Sequence, residues 1–241
     1  MTEVSRSAAV RHWVGASMSI ALTLGLVSKT CASGGSYVVD DGAINSPGEC
    51  NIDAWFTSNR HHSATHNAVI SQGCTSHNLP WLQWGGAIEQ GHSNDGTARQ
   101  LSPQLKAQLY SSLDQSLELA LSGEARFALN RAHSYDGTDL NLPLTWQPFA
   151  PLRLNLNGGW SHAWNDGKQS HRLTWGSGFE YAVTNSLTLI GERYGEEGGE
   201  QSWQTGPRFH IGSAVDLDLV LGRTLNRDRD RWLTTGATLR F

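Results

Sequence analysis

Residues 231–241 read RWLTTGATLRF. In an extended chain, successive side chains point to opposite faces. Leu233, Thr235, Ala237, Leu239 and Phe241 therefore share one face, and Trp232, Thr234, Gly236, Thr238 and Arg240 share the other. A period of two held to the last residue predicts a strand with one apolar face, ending on an aromatic ring.

The same rhythm runs back along the chain. Strands are expected over 50–59, 64–74, 79–90, 100–110, 117–129, 138–147, 152–164, 172–183, 187–195, 203–211, 215–225 and 231–241. The cleanest carries Leu117, Leu119, Leu121, Gly123, Ala125, Phe127 and Leu129 on one face. The run 187–195 is less regular. Turn signals separate the runs. Those at 112–115, 148–151, 184–185 and 212–214 belong to one end. Those at 92–98, 130–137, 165–168, 197–201 and 226–230 belong to the other, and they are richer in Asp, Asn, Gly and charge. Leucine and tryptophan fill one face of strand after strand. A soluble β-sandwich needs a polar outer face, so the pattern favours a barrel with lipid around it.

Composition is compatible with that choice. Mean hydropathy is −0.40 and 38% of the 241 residues are hydrophobic. No segment after the N-terminal region supplies the roughly 20 apolar residues of a membrane helix. Barrel strands need apolar residues only on alternate positions. The fold class expected is all-β: a transmembrane antiparallel up-and-down barrel of about 12 strands, or of 10 if the first hairpin caps it instead of joining the wall.

Residues 1–32 have the plan of a secretory signal peptide. Arg6 and Arg11 supply the positive region, Trp13 to Val27 the apolar run, and Thr30-Cys31-Ala32 the small-residue cleavage site. Lipidation at Cys31 is a weaker alternative, because Lys29 and Thr30 replace the small apolar residues it needs. Residues 33–49, SGGSYVVDDGAINSPGE, are an extended segment or a lumenal plug, and 50–241 form the barrel. The chain carries a formal charge of −4, and loss of the leader deepens the acidic surplus, which argues against a nucleic-acid partner. After export two cysteines remain. Cys50 and Cys74 face each other at the base of a hairpin centred near His62, so a disulfide is expected.

If the apolar face meets lipid, the other face lines the interior. It carries Gln104, Lys106, Gln108, Tyr110, Glu118, Glu124, Arg126, Arg153, Arg172, Glu180, Glu192, Arg208, His210, Asp216, Asp218 and Arg240. Water around these charges gives a pore for small solutes. Interlocked as a salt-bridged core, they give a closed structural barrel. His61, His62 and His66 are weak candidates for a transition metal, with no Cys or carboxylate pattern to complete a site. Ser161-His162 and Ser170-His171 lack an ordered third member for ester hydrolysis, so an enzyme is not expected, and neither is a cofactor.

The terminal aromatic strand resembles the closing strand of bacterial outer-membrane barrels, in which it also signals to the barrel-insertion machinery. That resemblance gives Phe241 the same role and places the chain in the outer membrane, in contact with lipid and lipopolysaccharide. Further motifs follow in order: 173–181 LTWGSGFEY, 185–195 NSLTLIGERYG, 204–209 QTGPRF and 215–223 VDLDLVLGR. With the closing strand they resemble the outer-membrane transporter, or MetA-pathway of phenol degradation, family. The resemblance covers residues 170–241, with only the strand rhythm extending over 79–169. It implies a monomeric channel or transporter for small solutes, aromatic or hydrophobic ones among them. It carries no site residue across.

Overall fold

A computed structural model describes residues 35–61, 63–93, 96–130, 134–165, 168–226 and 230–241. The signal peptide expected at 1–32 and His62 lie outside the described residues. Twelve strands form one sheet: β1 (Cys50–His61), β2 (Ser63–Thr75), β3 (Leu82–Ser93), β4 (Gly96–Ser111), β5 (Leu117–Ala128), β6 (Tyr135–Phe149), β7 (Leu152–Asn165), β8 (Lys168–Thr184), β9 (Leu187–Glu196), β10 (Gln201–Ile211), β11 (Val215–Thr224) and β12 (Arg231–Arg240). Each pairs antiparallel with its neighbours in sequence, and β1 pairs with β12 to close a barrel. Closure runs from Asn51 opposite Arg240 to Asn59 opposite Trp232. Backbone bonds between Cys50 and Phe241, at 2.8 and 2.9 Å, finish the seam. The first hairpin is therefore wall, and the ten-strand alternative is set aside.

Alternation decides which side meets lipid. On β11, Leu217, Leu219 and Leu221 are exposed while Asp216, Asp218, Val220 and Gly222 are buried. Over the whole barrel the exposed large side chains are Leu, Trp, Phe and Ile, and most buried ones are polar or charged. That is the inverse of a water-soluble core. The apolar belt exceeds any patch a soluble monomer tolerates, which removes the sandwich alternative. The architecture is that of an outer-membrane barrel.

Three local devices depart from simple alternation. In β9, Ile190, Gly191 and Glu192 are all buried, because the Phe179 ring of β8 lies over Gly191 from outside. This explains the irregular run at 187–195. Register shifts fall between Gln108 and Tyr110, Arg126 and Phe127, Trp146 and Phe149, and Ala182 and Thr184. Beyond the first of these, Tyr110 is exposed instead of following Gln108 inward. Finally, β4 and β8 begin four residues earlier than expected, at Gly96 and Lys168. Polar residues read as loops extend these hairpins past the apolar belt.

Cys50 and Cys74 are a facing pair, with Cα atoms 4.2 Å apart, and they form a disulfide. They mark the end of the barrel that carries both Cys50 and Phe241, called proximal below; the opposite end is distal.

Candidate functional site

The lumen is built from alternate positions on every strand, so its chemistry is the polar half of each amphipathic run. A second element enters it. Residues 35–45 lie inside the wall, with Ser36, Val39, Asp41, Gly42 and Ala43 buried. Asn45 N–H donates to Gln83 Oε1 of β3 at 2.8 Å. Gly42 N–H donates to Thr145 Oγ1 of β6 at 2.8 Å, and Gln108 Nε2 of β4 donates to Gly42 O at 2.8 Å. Asp40 N–H donates to Asn157 Oδ1 of β7 at 2.8 Å. The Val38 and Val39 N–H groups donate to the two carboxylate oxygens of Glu192 on β9, at 3.0 and 3.2 Å. Ser36 Oγ donates to Asp218 of β11 at 3.0 Å. The segment thus crosses the lumen from the β3–β4 wall to the β9–β11 wall. Gly42 permits the closest approach: a Cβ there would stand 2.2 Å from the Glu118 carbonyl oxygen.

Charge holds it as well. Lys106 Nζ lies 2.8 Å from Asp40 and 3.2 Å from Asp41. Arg153 reaches Asp41 at 3.3 Å, and Glu118 and Glu180 at 3.8 Å each. These pairs are largely dry, so each ion needs its partner to offset lost hydration.

The proximal wall beside the segment is a second network. Arg208 grips Asp218 with two hydrogen bonds of 2.7 and 2.9 Å, and it is 2% exposed. Asp216 takes Arg240 on one oxygen and His210 Nδ1 on the other, the latter at 2.6 Å. His210 Nε2 sits 2.9 Å from Thr188 Oγ1. Thr188, His210 and Asp216 thus line up like a nucleophile, base and acid. All three are buried, Arg240 holds the acid, and the chain of contacts ties β9 to β12.

The distal lumen is more open. Glu124 accepts from Gln104 at 2.6 Å, Arg126 pairs with Asp139, and Arg172 pairs with Glu196 at an exposed position. Two cavities lie in the lumen, and the first extends to the proximal end, where Asn51, Gly73 and Lys106 border it. One, of about 510 Å³, is bordered by Tyr37, Asp53, Trp55, Gln104, Glu124 and Asp139. The other, of about 580 Å³, is bordered by Asn157, Arg172, Trp175, Tyr194, Glu196 and Ser202. Val38, Asn141 and Thr174 border both. The residues predicted to face inward therefore split into two groups. Lys106, Glu118, Arg153, Glu180, Arg208, Asp216, Asp218 and Arg240 interlock at the proximal end. Glu124, Arg126 and Arg172 stand in the open part, and Glu192 lies between, spent on the crossing segment.

Sequence reasoning assigned no phase to β1 and so missed Trp55. Ile52, Ala54 and Phe56 form the outer face of β1, which leaves Asp53, Trp55 and Thr57 inside. Of the histidine candidates, His62 lies outside the described residues and His66 stacks on Phe56 at 5.6 Å; among the described residues no group of three or more His, Cys, Asp or Glu could hold a metal. His162 and His171 stack at 4.7 Å and each also stacks on Trp160, which makes them part of an aromatic band across β7 and β8.

A family model described as "Uncharacterised conserved protein UCP029691" matches residues 21–241. The chain belongs to the UCP029691 family. The barrel type implied by the C-terminal motifs holds, but the family that matches is this one and not the phenol-degradation group. None of the curated proteins matches the chain. Among solved structures, the COG4313 outer membrane channel from Pseudomonas putida F1 is similar, with 10% identity and a TM-score of 0.65 over 85% of this chain and 99% of the other. The NanC porin gives 10% identity and a TM-score of 0.59, covering 78% and 98%. The KdgM porin gives 8% and 0.57, covering 78% and 99%. At these identities the likeness is one of fold.

Proposed function

We propose that this barrel is a channel of the bacterial outer membrane that passes small solutes, with residues 35–45 as a lumenal plug that holds it closed at rest. The two cavities, which share Val38, Asn141 and Thr174 as borders, carry this reading. A barrel serving only as a scaffold gains nothing from hollows of about 510 and 580 Å³ lined by polar and apolar groups together. The plug's hydrogen bonds to β3, β4, β6, β7, β9 and β11 support a closed resting state, which is what remains of the non-conducting alternative. An even strand number puts both ends of the sheet at the proximal face, which in bacterial barrels is the periplasmic one. Solutes are small, aromatic or hydrophobic ones among them, because apolar surface as well as polar groups lines both cavities. The protein acts as a monomer within lipid and lipopolysaccharide, after a leader at 1–32 is removed. Phe241 is read by the insertion machinery: a chain lacking it should accumulate in the periplasm instead of the outer membrane.

Planar bilayers test the channel. Refolded protein should show rare, discrete openings, and a chain lacking residues 35–45 should conduct continuously. A deletion protein that migrates as a folded barrel yet never conducts would leave the channel reading without support.

A further inference from the structure

The wall of the smaller cavity has an unusual makeup for a polar lumen. Trp55 points inward from the middle of β1, and among the described residues no ring or cation covers it. Tyr37 of the plug borders the same space. The carboxylates around it are undercompensated. Lys106 is taken by Asp40 and Asp41, and Arg126 by Asp139. Glu124 accepts from two neutral donors, the Gln104 amide and the Ser102 hydroxyl, with Arg126 nearby. Asp53 has only Asn51, Ser71 and Thr238. The nearby cations, Arg126 for Glu124 and Arg208 and Arg240 for Asp53, form their ion pairs with other carboxylates.

An aromatic face offers its negative quadrupole to a cation. Two carboxylates bordering the same low-dielectric space add a field of the same sign. An anion seated over the indole meets carboxylates at shorter range than the cations that offset them, and a neutral solute gains nothing from that field. We infer that the cavity bordered by Trp55, Asp53 and Glu124 is a binding site for a small organic cation, an alkylammonium-bearing solute, with Trp55 as its platform and Glu124 as its counter-charge. The inference rests on the channel reading and names its solute class. The ammonium would seat over the indole, with Glu124 and Asn141 within the same hollow.

Saturation-transfer NMR on the refolded full chain in detergent tests this with choline as the probe and glucuronate as the control. Choline should receive saturation and glucuronate should not. Trp55→Ala should weaken choline binding by about tenfold. Trp55→Phe, which keeps a ring, should retain part of it, and Glu124→Gln should weaken it while leaving the heat-modifiable gel shift intact. No transfer to choline, or equal transfer to glucuronate, overturns the inference. So does an unchanged signal in a folded Trp55→Ala protein. Bilayer recordings separate this from the channel reading. Choline binding without any conductance sinks the channel and spares the site. Conductance that favours chloride over potassium, without choline binding, sinks the site and spares the channel.

Discussion

Glu192 is the pivot on which the plug reading can be broken. Its two carboxylate oxygens accept the Val38 and Val39 N–H groups at 3.0 and 3.2 Å, and Gln204 Nε2 donates to it at 2.8 Å. Glu192→Ala removes both backbone anchors on the β9 wall. Hydrogen bonds to a charged acceptor contribute roughly 1.5–3 kcal/mol each. Water entering the space would satisfy the freed amides and recover part of this. A net loss of about 1.5–3 kcal/mol shifts the plug between seated and released states by roughly 10- to 150-fold. Single-channel recording should show open probability rising by that factor, with the unit conductance unchanged. Glu192→Gln keeps one acceptor oxygen and should fall between. The wall itself should persist, since β9 keeps its backbone ladder to β8 and β10. An open probability indistinguishable from the parent, in a variant that still shows heat-modifiable migration, would refute the argument that these bonds hold the lumen shut.

Three more outcomes follow from particular contacts. Arg208→Met strands Asp218 in a dry site and should cost about 3–5 kcal/mol in urea unfolding, while Arg208→Met with Asp218→Leu should recover most of it. Reducing Cys50–Cys74, which closes a separation of 24 residues, should lower stability by about 3 kcal/mol by loop entropy, seen as an earlier urea midpoint that Cys50→Ser with Cys74→Ser reproduces. Asp114, in the turn after β4, accepts from Ser112 Oγ, Ser116 N–H and Ser116 Oγ, and these bonds lower its pKa to about 2. Their contribution is complete above the usual aspartate range and disappears as pH falls through about 2, so the carboxyl carbon shift in NMR should titrate there.

The wall was legible because one physical rule governs it: lipid outside and polar groups inside force a period of two, and Leu117 to Phe127 or Val215 to Leu221 obey it. The first hairpin was legible from Cys50 facing Cys74, but that it joins the wall instead of capping it emerged only from the pairing of β1 with β12. Strand ends on the distal side were not, because Gly96 to Arg99 and Lys168 to His171 sit beyond the apolar belt, where hydrogen bonding continues without any hydrophobic signature. The shift at Gln108 and Tyr110 left no mark in composition. The plug was readable as non-periodic chain but not as a partner of Lys106, Arg153 and Glu192, since those contacts join residues far apart in sequence. Trp55 was within reach: Ile52, Ala54 and Phe56 already claim the lipid face, which leaves the indole on the polar side.

The seam between β1 and β12 joins the first and last strands of the sheet, and residues 35–45 precede both. The wall can therefore be drawn shut around an occupant already in place. In that sequence Lys106, Arg153 and Glu192 meet their partners while the sheet is still an open ribbon. The plug then serves as a mandrel, giving buried charges their counterparts before lipid surrounds them. A chain without it faces assembly with those charges bare. Its defect should therefore appear as slow insertion as well as leakage once inserted.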